Sequence, residues 1–196
     1  MKKLLILFAL LALLLTGCNT AEKGMYLKKV ELTKAEEGIA KLLGAANGSE
    51  LIYDFKVDEN VRSISVNSYE LIDGKWELIS GGGGYAMNEK TGRIALRFEN
   101  LGAGMRVAMQ LGDDFTATEH KTQLPDDNMS RASAMMTDQT QVIYGEEIPL
   151  VMQISTDKNE VRSFLPEEFH DPGRIAEFGY EHVYAVTVMF STEGLE

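Results

Sequence analysis

Leu71-Ile72-Asp73-Gly74-Lys75-Trp76 is the stretch that decides the fold. Asp-Gly occupies a two-residue hairpin loop there, and both residues tolerate the positive φ that such a loop demands. Counting outward pairs Ile72 with Lys75, Leu71 with Trp76 and Tyr69 with Leu78, so both wholly apolar pairs land on one face of the ribbon. Turn chemistry and side-chain pattern agree, and the chain reads as antiparallel β on either side.

Upstream, Leu51, Tyr53, Phe55 and Val57 alternate with Ile52, Asp54 and Lys56, and a turn follows at Asp58-Glu59-Asn60. Ile64 and Val66 then sit on one phase and Tyr69 and Leu71 on the other, which predicts a bulge near Asn67-Ser68. Downstream of the four glycines Gly81 to Gly84, a second hairpin is expected through Glu89-Lys90-Thr91-Gly92, placing Met87 opposite Ile94 and Tyr85 opposite Leu96. Met105, Val107, Met109 and Leu111 alternate with Arg106, Ala108 and Gln110. Phe115 to Thr122 is Thr-rich and strand-like. Residues 123 to 139 are polar and read as a long connection. Gln141 to Tyr144 and Ile148 to Ser155 resume the strands, with Ile148, Leu150, Met152 and Ile154 expected on one face. Tyr180 to Ser191 is apolar on both phases, as a central strand is.

Helical signals are few. Lys28 to Leu32 reads as a first strand, and Thr33-Lys34-Ala35-Glu36 then reads as a capping box. Ala35, Ile39, Leu42 and Leu43 form the apolar stripe of a three-turn helix ending at Gly44, and that stripe is expected to cover the end or flank of a sheet. Thr156 or Asp157 could open a short helical turn through Arg162. Asp171 and Pro172 suit the N-cap and first position of another, running to Phe178-Gly179. About eight to ten strands joined mainly by hairpins, with one N-terminal helix and one or two short ones, describe a mostly β antiparallel sandwich or jelly roll. Residues 27 to 196 are read as one such domain.

The start of the chain sets the compartment. Lys2 and Lys3 precede twelve apolar residues, Leu4 to Leu15, and Leu15-Thr16-Gly17-Cys18 closes the segment. A basic region, a short apolar run and small residues at a cut are the parts of a secretory signal. The run is shorter than the roughly 20 residues that a membrane span needs. The four closing residues resemble the bacterial lipoprotein box. That resemblance implies a signal peptide over residues 1–17 and lipidation of Cys18 as the first mature residue. The implied protein is lipid-anchored, extracytoplasmic and tethered to a bacterial membrane by residues 18–26. Eight residues from Asn19 extend about 26 Å at most, so the domain would stay near the lipid surface. The stretch Leu32 to Leu43, the four glycines and Glu181-His182-Val183-Tyr184-Ala185-Val186 also resemble uncharacterised lipoproteins of clostridial-type bacteria, a likeness that implies no activity.

Removing residues 1 to 17 takes away Lys2 and Lys3 and no acid, leaving 17 basic against 30 acidic side chains and a formal charge of −13. Such a balance disfavours nucleic acid, whose phosphates need a basic footprint. Cys18 is the only cysteine. Once lipidated, it leaves no thiol for a disulfide, a nucleophile or a thiolate metal site.

Candidate site residues follow from type and place. Trp76, Tyr69 and Tyr85 are the aromatics suited to stacking on a glycan or gripping a peptide, with burial in the core as the competing role. Gly81, Gly82, Gly83 and Gly84 offer bare backbone to a ligand or partner strand, or a bulge between tightly packed strands. His170 and Asp171, with Asp157 and Asn159 from another acidic loop, are the candidate metal ligands, and calcium is the ion that oxygen-rich loops would take, although none has EF-hand order. No resident cofactor is indicated. His182 is expected to be a hydrogen-bonded core histidine. Gly-x-Ser-x-Gly is absent. The expectation is a non-catalytic binding or interaction domain for a glycan, a peptide or an envelope protein. The alternatives are an envelope hydrolase using two carboxylates and a structural partner that pairs through an exposed edge strand.

Overall fold

The computed structural model describes residues 24–42, 50–121 and 129–195, with the side chains of 81–83 left aside. The signal segment, Cys18, Gly44, Pro125 and Asp126-Asp127-Asn128 lie outside the described residues. Two antiparallel sheets form the body. One has six strands in the order β7-β6-β5-β2-β1-β9, and the other has five in the order β4-β3-β11-β10-β8. In chain order these are β1 Tyr26–Lys29, β2 Glu50–Lys56, β3 Ser63–Ile72, β4 Lys75–Ala86, β5 Thr91–Arg97 and β6 Gly104–Leu111. They continue as β7 Asp114–Lys121, β8 Ser130–Met135, β9 Thr140–Gln141, β10 Glu147–Thr156 and β11 His182–Ser191. The arrangement is a β-sandwich.

Between the sheets, Leu51, Tyr53 and Phe55 of β2, Ile94 and Leu96 of β5 and Val107 and Met109 of β6 meet Ile64, Val66, Val186, Val188 and Phe190. Phe55 packs edge-on to Phe190 with ring centroids 5.3 Å apart. The alternation read from the sequence of β2, β5 and β6 is therefore the inward phase of the six-stranded sheet.

The five-stranded sheet is buried on its other face too. Phe164, Phe169 and Ile175 cover Met152, Ile154, Val183 and Ala185 there, and Tyr69, Leu71 and Trp76 pack around them. The cover is a turn of 3-10 helix at Pro166–His170 followed by α2, Pro172–Ala176. Asp171 caps α2 by accepting from the Arg174 amide at 3.3 Å, with Pro172 at the first position. This third layer explains why β11, lying between β3 and β10, is apolar on both phases.

The Asp73-Gly74 hairpin forms in the register expected: Ile72 opposite Lys75, Leu71 opposite Trp76, Tyr69 opposite Leu78. Asp73 and Gly74 have φ of 49° and 74°, as the turn requires. The expected bulge in β3 is not there. β3 runs in unbroken register with β11 from Ser63 to Glu70, and the register shifts instead against β4, between Ser65 and Asn67 and between Ser68 and Tyr69, where β4 carries the extra residues. The change of phase in β3 has another cause. Ile64 and Val66 face the inter-sheet core, and Tyr69 and Leu71 face the cover.

Further expectations are overturned. Tyr85 and Leu96 do not pair, because β4 and β5 belong to different sheets; Tyr85 lies opposite Ile64, and Leu96 opposite Leu51 and Val107. Both still enter the same core, which is why the pattern looked like a hairpin. Ile148, Leu150, Met152 and Ile154 do not share a face. A bulge between Pro149 and Val151 reverses the phase, sending Ile148 and Leu150 to the inter-sheet core and Met152 and Ile154 to the cover. The segment read as a connection contains β8, whose Ser-Arg-Ala-Ser-Ala-Met carries too little apolar surface to signal a strand. Residues 157–165 are irregular where a helical turn was expected.

The N-terminal helix α1, Lys34–Leu42, forms with its capping box: Thr33 N donates to Glu36 Oε2 at 2.8 Å, and Glu36 N to Thr33 Oγ1 at 3.4 Å. The hydrogen bond from the Thr33 amide holds the Glu36 carboxyl below its usual range. Leu43 of its stripe lies outside the described residues, and the described part covers no sheet. No α1 residue is buried, and Ile39 and Leu42 are 58% and 88% exposed.

Candidate functional site

A carboxylate is fixed where β10 begins. Glu147 lies opposite Met189, on the face that Asn67, Tyr69 and Thr187 share. Its Oε1 accepts from Asn67 Nδ2 at 3.0 Å and from the Tyr69 hydroxyl at 2.7 Å, and its Oε2 accepts from the Thr187 hydroxyl. Thr187 is fully buried. A hydroxyl in a strand covered on both sides requires a partner, and Glu147 is that partner. Burial, and then the neighbouring carboxylate, push the Tyr69 phenol up to about 12, so Tyr69 stays a donor.

Beside this carboxylate opens a cleft of about 330 Å³. Met136, Ile143, Ile148 and Pro149 supply apolar wall, and Glu146, Glu147, Glu167 and His170 supply the charged and titratable groups. β9 contributes Thr140 and Gln141, and the 3-10 turn of the cover brings in Glu167 and His170. Three carboxylates over apolar wall favour a cationic group: the charge attracts it, and the walls lower the local dielectric and strengthen the contact. A carboxylate offers about four acceptor positions. Glu147 has three of them filled, which fixes its orientation and leaves it able to take one more donor.

Of the residues singled out from sequence, Tyr69 and His170 come to this site. Trp76 of β4 lies nearby beneath the cover, stacked on Phe169 at 5.0 Å, its indole N–H donating to the Phe169 carbonyl at 2.7 Å. Tyr69 approaches the same ring at 5.7 Å. Tyr85 is elsewhere, buried between the sheets with its hydroxyl 3.1 Å from that of Thr118. The three aromatics therefore form no common strip.

The glycine run lies in β4 on the edge of the five-stranded sheet, where the extra residues of that strand fall. A Cβ on Gly84 would come within 2.3 Å of the end of the Leu195 side chain, which is half exposed and free to turn aside. His170 borders the cleft, Asp171 serves as the cap of α2, and Asp157 and Asn159 are exposed in the loop after β10. Among the described residues, no three His, Cys, Asp or Glu side chains are grouped to hold a metal ion.

His182 is hydrogen-bonded, as expected, but it is not a core residue: at the start of β11 its side chain is 26% exposed. Its Nδ1 lies 2.8 Å from Glu70 Oε1 and its ring stacks on Tyr184 at 5.9 Å. Glu147 was not singled out from sequence. The signal that could have found it is Thr187, a polar residue in a strand apolar on both phases. No protein-family model, no curated protein and no solved structure matches this chain.

Proposed function

We propose that the chain is a bacterial lipoprotein, lipid-anchored through Cys18 on the extracytoplasmic side of a membrane, whose sandwich is a non-catalytic binding domain. Its ligand presents an amine to the cleft beside Glu147, carried by an envelope peptide, a glycan or a protein side chain. The observation that carries the binding reading is the Glu147 carboxylate, oriented by three hydrogen bonds and joined by Glu146 and Glu167 around apolar wall. The location rests on Leu15-Thr16-Gly17-Cys18 after the apolar run. Two or three acyl chains at that cysteine would hold the protein far better than one, since each buried methylene adds about 0.8 kcal/mol.

Thermal shift of the full chain in non-ionic detergent tests the binding reading. Lysine-bearing peptides and amino-sugar oligomers should raise the melting temperature saturably. Acetylating their amines, or substituting Glu167→Gln together with Glu146→Gln, should remove the rise. A rise that survives acetylation, or a flat response to every amine, rejects the cleft as an amine site.

One observation favours a second reading, that of a structural partner. β7 is an edge strand with seven of its eight residues exposed, including Phe115 at 66%. Among the described residues no strand pairs with its outer edge, and such an edge can add a strand from another protein.

A further inference from the structure

We propose that the outer face of the six-stranded sheet, together with α1, lies against the lipid surface to which Cys18 would anchor the chain. The proposal deepens the anchored reading given above and rests on it. Six residues carry the chain from Cys18 to Gly24, a reach of about 20 Å at most. The chain then enters β1, a strand of that sheet. A domain held so closely turns one of its faces to the bilayer.

Charge singles out the face. Leu27, Phe55, Ile94, Leu96, Met105 and Val107 occupy the inward phase of the sheet, so the residues between them point out of the sandwich. On that outward phase the strands carry Lys28, Lys56, Arg93, Arg97, Arg106 and Lys121. The acids there are Asp54, Glu119 and Glu50, paired with Arg93 at 2.8 Å, Lys121 at 3.1 Å and Arg97 at 3.9 Å. Six basic residues against three acidic ones run counter to the whole chain, whose formal charge is −11. Salt screens charge beyond about 8–10 Å, and stacked sheets lie about 10 Å apart. Anionic headgroups against this face would therefore sense its cations before the acids of the five-stranded sheet and the cover.

Apolar groups lie on the same side. Phe115 continues the row of Arg93 and Gln110 across β5, β6 and β7 and is 66% exposed. Ile39 and Leu42 of α1, 58% and 88% exposed, share a stripe with Ala35. Lys34 and Lys41 stand beside that stripe, placed to reach headgroups while the apolar side enters the interface. The Arg93 guanidinium is held above its ordinary value first by its hydrogen bond to Asp54 and further by the Glu36 carboxylate, which sets the start of α1 beside the basic face. Docking of this kind leaves the cover, with Glu167 and His170 of the candidate cleft, on the side away from the lipid.

The test uses the full chain extracted from bacterial membranes and reconstituted in vesicles of phosphatidylcholine and phosphatidylglycerol, whose acyl chains carry bromine near the headgroup. Bromine quenches tryptophan on contact. Leu42→Trp and Phe115→Trp report on the proposed face, and Leu165→Trp, at a residue 61% exposed just before the cover, reports on the opposite side. Trp76 of the parent supplies the baseline. Quenching and a blue shift beyond that baseline are expected in the first two variants and not in the third. Adding Lys56→Glu/Arg106→Glu should reduce the quenching of Phe115→Trp while the protein still floats with the vesicles. Equal quenching in all three variants, none in Leu42→Trp and Phe115→Trp, or quenching unchanged by the charge reversals would overturn the docking; flotation of the parent, lost in Cys18→Ser, would then leave the anchor standing. A parent chain that is recovered without lipid and does not float would overturn the anchored reading and this proposal with it.

Discussion

Glu147 joins three residues from three strands, and its removal should be felt through Thr187 most of all. Asn67 and Tyr69 are partly exposed and can turn to water, whereas Thr187 is fully buried. An orphaned buried hydroxyl costs about 1–3 kcal/mol, so Glu147→Ala should lower stability in urea by about 2–3 kcal/mol. Thr187→Val should be costly in the native background and nearly neutral beside Glu147→Ala, with a coupling of about 1–2 kcal/mol in a double-mutant cycle. Additive losses would show that the two side chains are not paired. The tyrosines carry a pH prediction. Tyr69 and Tyr184 are pushed up to about 12, chiefly by burial. Their folded values exceed the unfolded value near 10, so this contribution to stability is complete below about pH 10 and is lost as pH rises toward 12. Ultraviolet titration should therefore show at least these two phenols ionising late, and unfolding in urea should remove the delay. Glu181 works at the acid end: its hydrogen bond from Thr156 holds it down to about 2, so its contribution is present above about pH 4.5 and lost as pH falls toward 2.

Among the elements, the Asp73-Gly74 hairpin was legible to the residue, because turn chemistry and cross-strand pairing are both local. The strand that follows was not. Gly81 to Gly84 lack side chains to carry a pattern, so the extra residues of β4 left no trace in sequence and the slip was read into β3 instead. The phase reversal at Pro149 was hidden for the opposite reason: both faces of β10 are buried, so Ile148, Leu150, Met152 and Ile154 are apolar whichever way they point. The cover over the five-stranded sheet depends on Phe169, which meets Trp76 and Tyr69. Phe169→Ala should cost about 3–5 kcal/mol. It should also shift the emission of Trp76, the only tryptophan, to the red. An unshifted spectrum would mean that the indole does not sit beneath that ring. Gly104→Ala meets both a positive φ and the His120 carbonyl oxygen, and a loss of about 2 kcal/mol or more is expected from the backbone conformation and the clash together. Thermal unfolding measures it, and a variant as stable as the parent would contradict the close approach of β6 and β7.

For the molecule as a whole, fold class was readable because the period-2 runs of β2, β5 and β6 belong to a sheet with one buried face. The cleft was not readable. It gathers residues far apart in sequence, such as Glu147 with Glu167, and nothing local announces that they meet. Among the described residues, no helix is long and apolar enough to cross a membrane. On the strength of Leu15-Thr16-Gly17-Cys18, attachment in the proposed account is through Cys18. Replacing it with serine should move the protein from the membrane to the soluble fraction while leaving the melting temperature of the sandwich unchanged, since the core residues all lie downstream. The most direct measurement is the intact mass of the protein extracted from bacterial membranes after expression of the full chain. The account predicts a chain beginning at Cys18 whose mass exceeds that of residues 18–196 by a diacylglycerol, with or without a further acyl chain, and whose lipid label is lost in Cys18→Ser. An unmodified mass that still includes Met1, recovered from the soluble fraction, would contradict it.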